Sequence, residues 1–282
     1  MKKSFVSHVV WVLRGNPVTS IAALGVGLLC LMAIFAPWIV PYDPIASDVS
    51  RALAAPSAAH WAGTDQLGRD VLSRVITAAR LDMTIALSAV ALSFAAGAVI
   101  GSISGYLGGW LDRAVGRFVD VLMAFPLFVL AMALVAALGN RVENIVIATA
   151  FINLPFYIRF ARAEVNVRRN AGWVESARIC GDGTLSVVLR FLLPNVLPAM
   201  AVQISLNLGW AILNAAGLSF IGLGVQPPTP EWGIMVAEGA RFISTGNWWL
   251  VAFPGAFLMV TVLFFNLLGD GLRDILDPRM RT

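Results

Sequence analysis

Polar side chains recurring on one face of an otherwise apolar segment are the first residues in this sequence able to do chemistry. Gln203, Asn207, Trp210 and Asn214 stand at offsets of four, seven and eleven residues, which places them in one narrow sector of an α-helix. Amide and indole groups avoid hydrocarbon, so this face points inward, either as interhelical hydrogen-bond glue or as the lining of a solute path. Thr149 and Asn153, four residues apart, form a shorter pair of the same kind. The chemistry on offer is binding and passage, not covalent catalysis. Cys30 and Cys180 lie in different environments, and His8 and His60 are isolated from each other and from any acidic cluster. Neither a disulfide frame, a metal centre nor a nucleophile with its base is indicated. A phosphate-binding glycine-rich loop needs a lysine before Ser or Thr, and no lysine follows Lys3.

Composition sets the elements that must hold these residues. The chain of 282 residues is 59% hydrophobic and 13% charged, against about 45–50% and about 25% in soluble domains. Stretches free of Asp, Glu, Lys and Arg run over Gly15–Tyr42, Met83–Leu111, Val121–Asn140, Asn144–Ile158, Phe191–Pro230 and Phe242–Gly269. Since one helical crossing takes about 20 apolar residues, they predict an all-α, multi-pass membrane protein with six transmembrane helices. The fourth run has 15 residues and contains Pro155, so length alone also allows a buried or re-entrant segment. Charge decides for a crossing: with six spans and the N-terminus inside, cytoplasmic segments hold 14 of the 20 basic residues, and deleting the fourth span would move six loop arginines outside. Both termini are then cytoplasmic, and the cytoplasmic (inner) membrane is the expected location. The net charge of +4 is a topology signal, since no basic patch alternates with exposed aromatics as in a nucleic-acid binder.

Residues 1–18 are expected to form a cytoplasmic interfacial helix, with Phe5, Val6, Val9, Val10, Trp11 and Leu13 toward lipid, ending before Asn16-Pro17. Met1-Lys2-Lys3 opens like a secretion signal, but the apolar run is too long and too distant for a cleaved one. Residues 19–282 are the transmembrane domain, with an external loop over 41–82 that contains Gly63, Thr64, Asp65, Gly68, Arg69 and Asp70. In the second crossing Ser93, Gly97, Gly101, Gly105 and Gly109 recur every four residues, a smooth face for close helix packing or for sliding during gating. The crossings hold almost no ionisable groups apart from Asp120 and Asp270 near their ends. Proton- and sodium-driven carriers need intramembrane carboxylates or unwound ion sites, so energy must come from outside, from an ATPase on another chain.

A cytoplasmic loop over 159–195 is long and basic but not disordered in composition. Trp173, Ala177 and Cys180 form an apolar stripe, with Glu175 and Arg178 on another face; Gly181-Asp182-Gly183 breaks this short helix. Thr184 can cap a second short helix in which Leu185, Val188, Leu189 and Leu192 recur until Pro194 ends it. Such a hairpin is either an interfacial element or a docking knob.

Glu175-Ser176-Ala177, Gly181 and Leu193-Pro194-Asn195 resemble the Glu-Ala-Ala loop of binding-protein-dependent ABC importer permeases, with Ser176 in place of the usual first alanine and Phe191 where a histidine is frequent. The resemblance covers nearly the whole chain and is closest to the second, C-type permease of the dipeptide, oligopeptide and nickel uptake group. It is carried also by Gly63-Thr64-Asp65 with Gly68-Arg69-Asp70, by Leu218 to Gly224 with Pro230-Glu231-Trp232-Gly233, and by Phe265 to Asp274. It implies a type I importer permease fold, alternating access, and Glu175, Ser176, Ala177, Gly181, Asp182 and Pro194 as the ATPase-coupling residues. It implies as partners a homologous second permease, two ABC ATPase subunits that hold ATP and Mg, and an extracytoplasmic substrate-binding protein. This chain would bind no cofactor or metal itself and would be no enzyme. The solute path falls to Asn153, Gln203, Asn207 and Asn214, with peptides as solute and nickel or a nickel chelate as the alternative. A self-sufficient channel or carrier is the alternative from another class.

Overall fold

The computed structural model describes residues 15–276, and among them every regular element is helical apart from one isolated bridge between Thr64 and Asp70. Of the interfacial helix expected over residues 1–18, residues 1–14 lie outside the described residues, and Pro17 and Val18 already belong to the first crossing. Helix α1 (Pro17–Ile39) starts where the Asn16 side chain accepts a hydrogen bond from Thr19 N at 3.2 Å and Pro17 fills the first turn. Its exposed Ile21, Leu24, Leu28 and Leu31 make a lipid-ready face, while Ala22, Gly25, Leu29 and Ala33 turn inward.

Helix α2 (Val71–Leu107) has 37 residues, about 55 Å at about 1.5 Å per residue, well beyond the about 30 Å of a hydrocarbon core. The external loop expected over 41–82 therefore ends at Asp70, and Val71 to Asp82 already belong to the helix. Charge counting stopped the crossing at Met83 because Arg74 and Asp82 look solvent-bound, whereas both are buried here. At the far end, Gly108 (φ +64°) closes α2, so Gly109, with φ +63°, falls outside the expected glycine ladder.

The third crossing is broken. Helices α3 (Gly109–Ala124) and α4 (Leu127–Leu138) meet at 92° across Phe125-Pro126, since the residue before proline is driven into extended backbone. Helix α5 (Val142–Arg168) keeps the fourth crossing intact through Pro155 and runs ten residues past Ile158, so the expected loop over 159–195 starts after Arg168. A short α6 (Gly172–Ile179), a helical turn at Thr184–Ser186 and a π-helical stretch at Val187–Leu192 lead without a break into α7 (Leu193–Phe220). Pro194 therefore does not end a helix. It lies inside this continuous helix, where the wider π turn before it makes room for the ring and for the missing N–H. Helices α8 (Trp232–Ala240) and α9 (Trp249–Leu276) complete the chain. Among the described residues five helices are long and apolar enough to cross a membrane, and the bent α3–α4 pair makes a sixth if it is counted as one broken span.

The centre of the bundle is the α2–α5 contact. A Cβ on Gly97 would stand 2.4 Å from Tyr157 Cβ, and one on Gly101 2.5 Å from the Ile158 carbonyl oxygen. A Cβ on Gly105 would stand 2.9 Å from the Arg162 oxygen. These three glycines face occupied backbone, so they let the helices touch where lipid offers no hydrophobic drive for association. Buried Val75, Ala78, Ala86, Val90, Ala161 and Val165 extend the contact toward α7 and α9.

Candidate functional sites

The cap end of the bundle is built by the 63–70 motif. Asp65 Oδ1 accepts from Leu67 N at 2.9 Å and Arg69 N at 3.0 Å, folding the loop on itself, while Asp65 Oδ2 accepts from Arg69 Nε at 2.5 Å. The Arg74 guanidinium stands 3.6 Å from the same carboxylate, and both arginines approach Glu238 of α8 at 3.6 and 3.7 Å. Asp70 caps α2 by accepting from Ser73 N (2.8 Å) and Ser73 Oγ (2.7 Å), and its other oxygen meets His60 Nδ1 at 2.9 Å. Gly63 and Gly68 have φ +73° and +75°, and a Cβ on Gly68 would lie 1.8 Å from the Asp48 carbonyl oxygen. Thr64 accepts through its carbonyl from Trp249 Nε1 at 3.2 Å. These side chains serve to brace: they join the first loop, α2, α8 and the start of α9.

A second buried carboxylate holds α8. Glu231 accepts from Gly233 N at 2.9 Å and Ile234 N at 2.8 Å, and the next residue, Trp232, donates its N–H to Asp82 at 3.1 Å and its indole to the Val75 carbonyl at 3.0 Å. Burial pushes the Glu231 carboxyl up from its ordinary value, against the pull of the two N–H groups. The Pro-Glu-Trp-Gly segment was visible in the sequence only as a resemblance. Its role as the N-terminal clamp of α8 comes from the fold.

At the opposite end lies the knob of 172–195. Helix α6 buries Val174 and Ala177 against Val187, Val188 and Leu192. The expected stripe of Trp173, Ala177 and Cys180 is thus replaced by Val174 and Ala177, three residues apart, and Trp173 and Cys180 are exposed. Gly181, with φ +90°, ends α6: its N–H reaches the Arg178 carbonyl at 3.0 Å and Asp182 N reaches the Ala177 carbonyl at 3.1 Å. This pair of bonds is a Schellman turn, which favours glycine at that position. Gly183, not Thr184, precedes the next helical turn, and the Asp182 carboxylate accepts from Ser186 Oγ at 2.7 Å. Ser176 donates back to the Gly172 carbonyl at 2.8 Å, while Glu175 is exposed on the outer side. Arg178 is exposed and reaches along the knob's surface, donating to the Tyr106 hydroxyl at 2.8 Å with its guanidinium 4.9 Å from that ring. Ile179 (86% exposed) and Leu185 (60%) stand out from the crest, so Leu185 and Leu189 do not share the buried face of Val188 and Leu192.

Between these ends a cavity of about 400 Å³ opens on the side of the bundle, lined by α3, α5 and α7. Gln203 and Asn207 line it. Asn153 and Asn214 do not, each donating instead to a carbonyl of its own helix, Thr149 at 3.1 Å and Trp210 at 2.9 Å. The sequence reading missed Arg159. Counting charges placed it at the start of a loop, but α5 carries it onto the cavity wall.

Known proteins share this sequence over most of its length. Residues 97–282 match the model of the binding-protein-dependent transport system inner membrane component, and residues 4–56 match the N-terminal transmembrane domain of oligopeptide transport permease C. The probable D,D-dipeptide transport system permease protein DdpC of Escherichia coli K12 is 44% identical, over 97% of this chain and 91% of that protein. The di/tripeptide transport system permease protein DppC of Pseudomonas aeruginosa is 43% identical, over 90% and 86%. The glutathione transport system permease protein GsiD of Escherichia coli O157:H7 is 42% identical, over 92% and 86%. The chain belongs to the binding-protein-dependent transport system inner membrane components, the permease subunits of ABC importers.

Proposed function

We propose that this permease moves di- and oligopeptides across the cytoplasmic membrane by alternating access, with the knob of 172–195 as the seat of its ATPase. The observation that carries the reading is the crest of that knob. Ile179 and Leu185 are exposed apolar side chains on a braced element, flanked by Glu175 and Arg178, the makeup of a surface awaiting a protein partner. Glu175, Ser176 and Ala177 lie in its helix α6, Gly181 and Asp182 in the turn that follows, and Pro194 where it joins α7. The knob end is cytoplasmic in this reading, the cap end with Gly63 to Asp70 faces the binding protein, and both termini lie inside. The solute passes between this subunit and a homologous permease, along a wall that includes Gln203 and Asn207. ATP and Mg are held by two ATPase subunits, whose closure on ATP favours the outward-open state through the knobs. The relatives' names speak for peptides over nickel.

The test is paired. Gly181→Pro cannot adopt φ +90°, and Ile179→Asp places a charge on the crest without touching the core. Both are expected to insert normally while losing co-purification with the ATPase subunits and losing uptake. Normal uptake and a normal complex in the inserted Gly181→Pro variant contradict the docking assignment.

A further inference from the structure

Two Asp–Arg pairs bridge α3 and α5, and they differ in kind. Nearer the knob, Asp112 closes on Arg162 through two hydrogen bonds, the Nη2 one at 2.7 Å. Further in, Asp120 and Arg159 stand 3.8 Å apart, and Arg159 Nη1 has only the Met123 thioether at 3.3 Å, a weak acceptor. Both side chains of this second pair are more than half exposed, 56% and 57%. Asp120 is eleven residues into α3, and Arg159 is nine residues before the end of α5. At about 1.5 Å per residue each sits about 14–17 Å along its helix from the knob end. Exposed charges within a membrane-spanning bundle are costly against lipid, and they belong beside a partner or a water-filled path.

The path is at hand. Arg159 lines the cavity of about 400 Å³ together with Gln203, Asn207, Phe156 and Phe160, a volume within the about 300–1,000 Å³ of small-molecule sites. We propose that Arg159 on the wall of this cavity and Asp120, 3.8 Å from it, form a subsite for the two charged ends of a zwitterionic peptide. The guanidinium takes the terminal carboxylate, Asp120 takes the terminal ammonium, and the amides of Gln203 and Asn207 face the peptide groups between. The proposal rests on the peptide reading above. The loose internal ion pair is exchanged for two intermolecular ones, so the site carries no net charge when empty and favours a neutral zwitterion over an anion or a cation. Because the two residues can re-pair as the solute leaves, release is not penalised by stranded charges.

The experiment uses the complete transporter, reconstituted with its second permease, ATPase subunits and binding protein. Uptake of a labelled dipeptide is compared with uptake of its C-terminal amide and its N-acetyl form, at concentrations that saturate the binding protein. Arg159→Gln is expected to lower the preference for the free carboxylate about tenfold, the loss of one charge-assisted hydrogen bond. Asp120→Asn is expected to lower the preference for the free amine similarly. Arg159→Lys retains most of the carboxylate preference. Equal loss of all three solutes, or unchanged preferences, overturns the subsite while leaving the peptide reading intact. Absence of peptide uptake by the wild type removes that reading and the subsite with it.

Discussion

Replacing Gly101 by alanine tests the claim that α2 and α5 are locked together. The new methyl would lie 2.5 Å from the Ile158 carbonyl oxygen, 2.8 Å from Ala161 Cβ and 3.1 Å from Arg162 N. Two of these partners are backbone atoms of α5, so no side chain can swing away. Carbon atoms sit comfortably at about 3.5 Å, so the helices must part by about 0.7 Å, with the flanking contacts at Gly97 and Gly105 loosened as well. Overpacking of this kind costs about 1–3 kcal/mol, and contact with unyielding backbone at 2.5 Å puts this one at about 2–3 kcal/mol, of which the higher helix propensity of alanine returns about 1 kcal/mol, leaving a net loss of about 1–2 kcal/mol. For a chain of this size the thermal midpoint of the purified protein in detergent should fall by about 2–8 °C. Gly27 of α1 is the control: a Cβ there meets nothing within 4 Å, so Gly27→Ala should leave the midpoint unchanged or raise it. A Gly101→Ala midpoint at or above the wild-type value refutes the locked contact and favours a sliding one.

Two further outcomes follow from the cap. Asp65→Asn leaves the buried Arg69 and Arg74, each 1% exposed, with Glu238 as their remaining counter-charge, and should cost up to about 3–5 kcal/mol in the same melting assay, whereas Asp48→Asn, at the exposed pair with Arg51, should have no measurable effect. Burial raises the Glu231 carboxyl above its ordinary 4.5, so between that value and the raised one the folded state binds more protons than the unfolded. The contribution of Glu231 is then fully present below about pH 4.5 and is lost as pH rises through the raised value. Melting midpoints measured upward from pH 4.5 should show this loss in the wild type and a flatter profile in Glu231→Gln.

The helical class and the existence of each span were legible because lipid allows few alternatives: a long uncharged run has to be a helix. The fourth span, short and interrupted by Pro155, was recovered from the distribution of arginines. Boundaries were not legible, and in each case the reason is a charged residue with a partner elsewhere in the chain. Arg74 and Asp82 look like loop residues until Asp65, Glu238 and Trp232 are brought to them. Arg159 and Arg162 look like the start of a loop until α3 supplies Asp120 and Asp112. Local pattern also misled within the knob, since a helix of eight residues offers two turns, and Trp173 and Cys180 fit a stripe as well as Val174 does. Gly181 was found for a sound reason, a break in a helical pattern, and the fold gives it the positive φ that such a break implies.

The central claim is that this permease carries peptides and works only with its ATPase seated on the knob. The most direct measurement is uptake in cells lacking this gene, comparing labelled di- and oligopeptides with radioactive nickel after complementation by wild type or by Gly181→Pro. Loss of peptide uptake alone, restored by wild type and not by Gly181→Pro, is the expected result. Loss of nickel uptake alone, or full restoration of peptide uptake by Gly181→Pro, would contradict it.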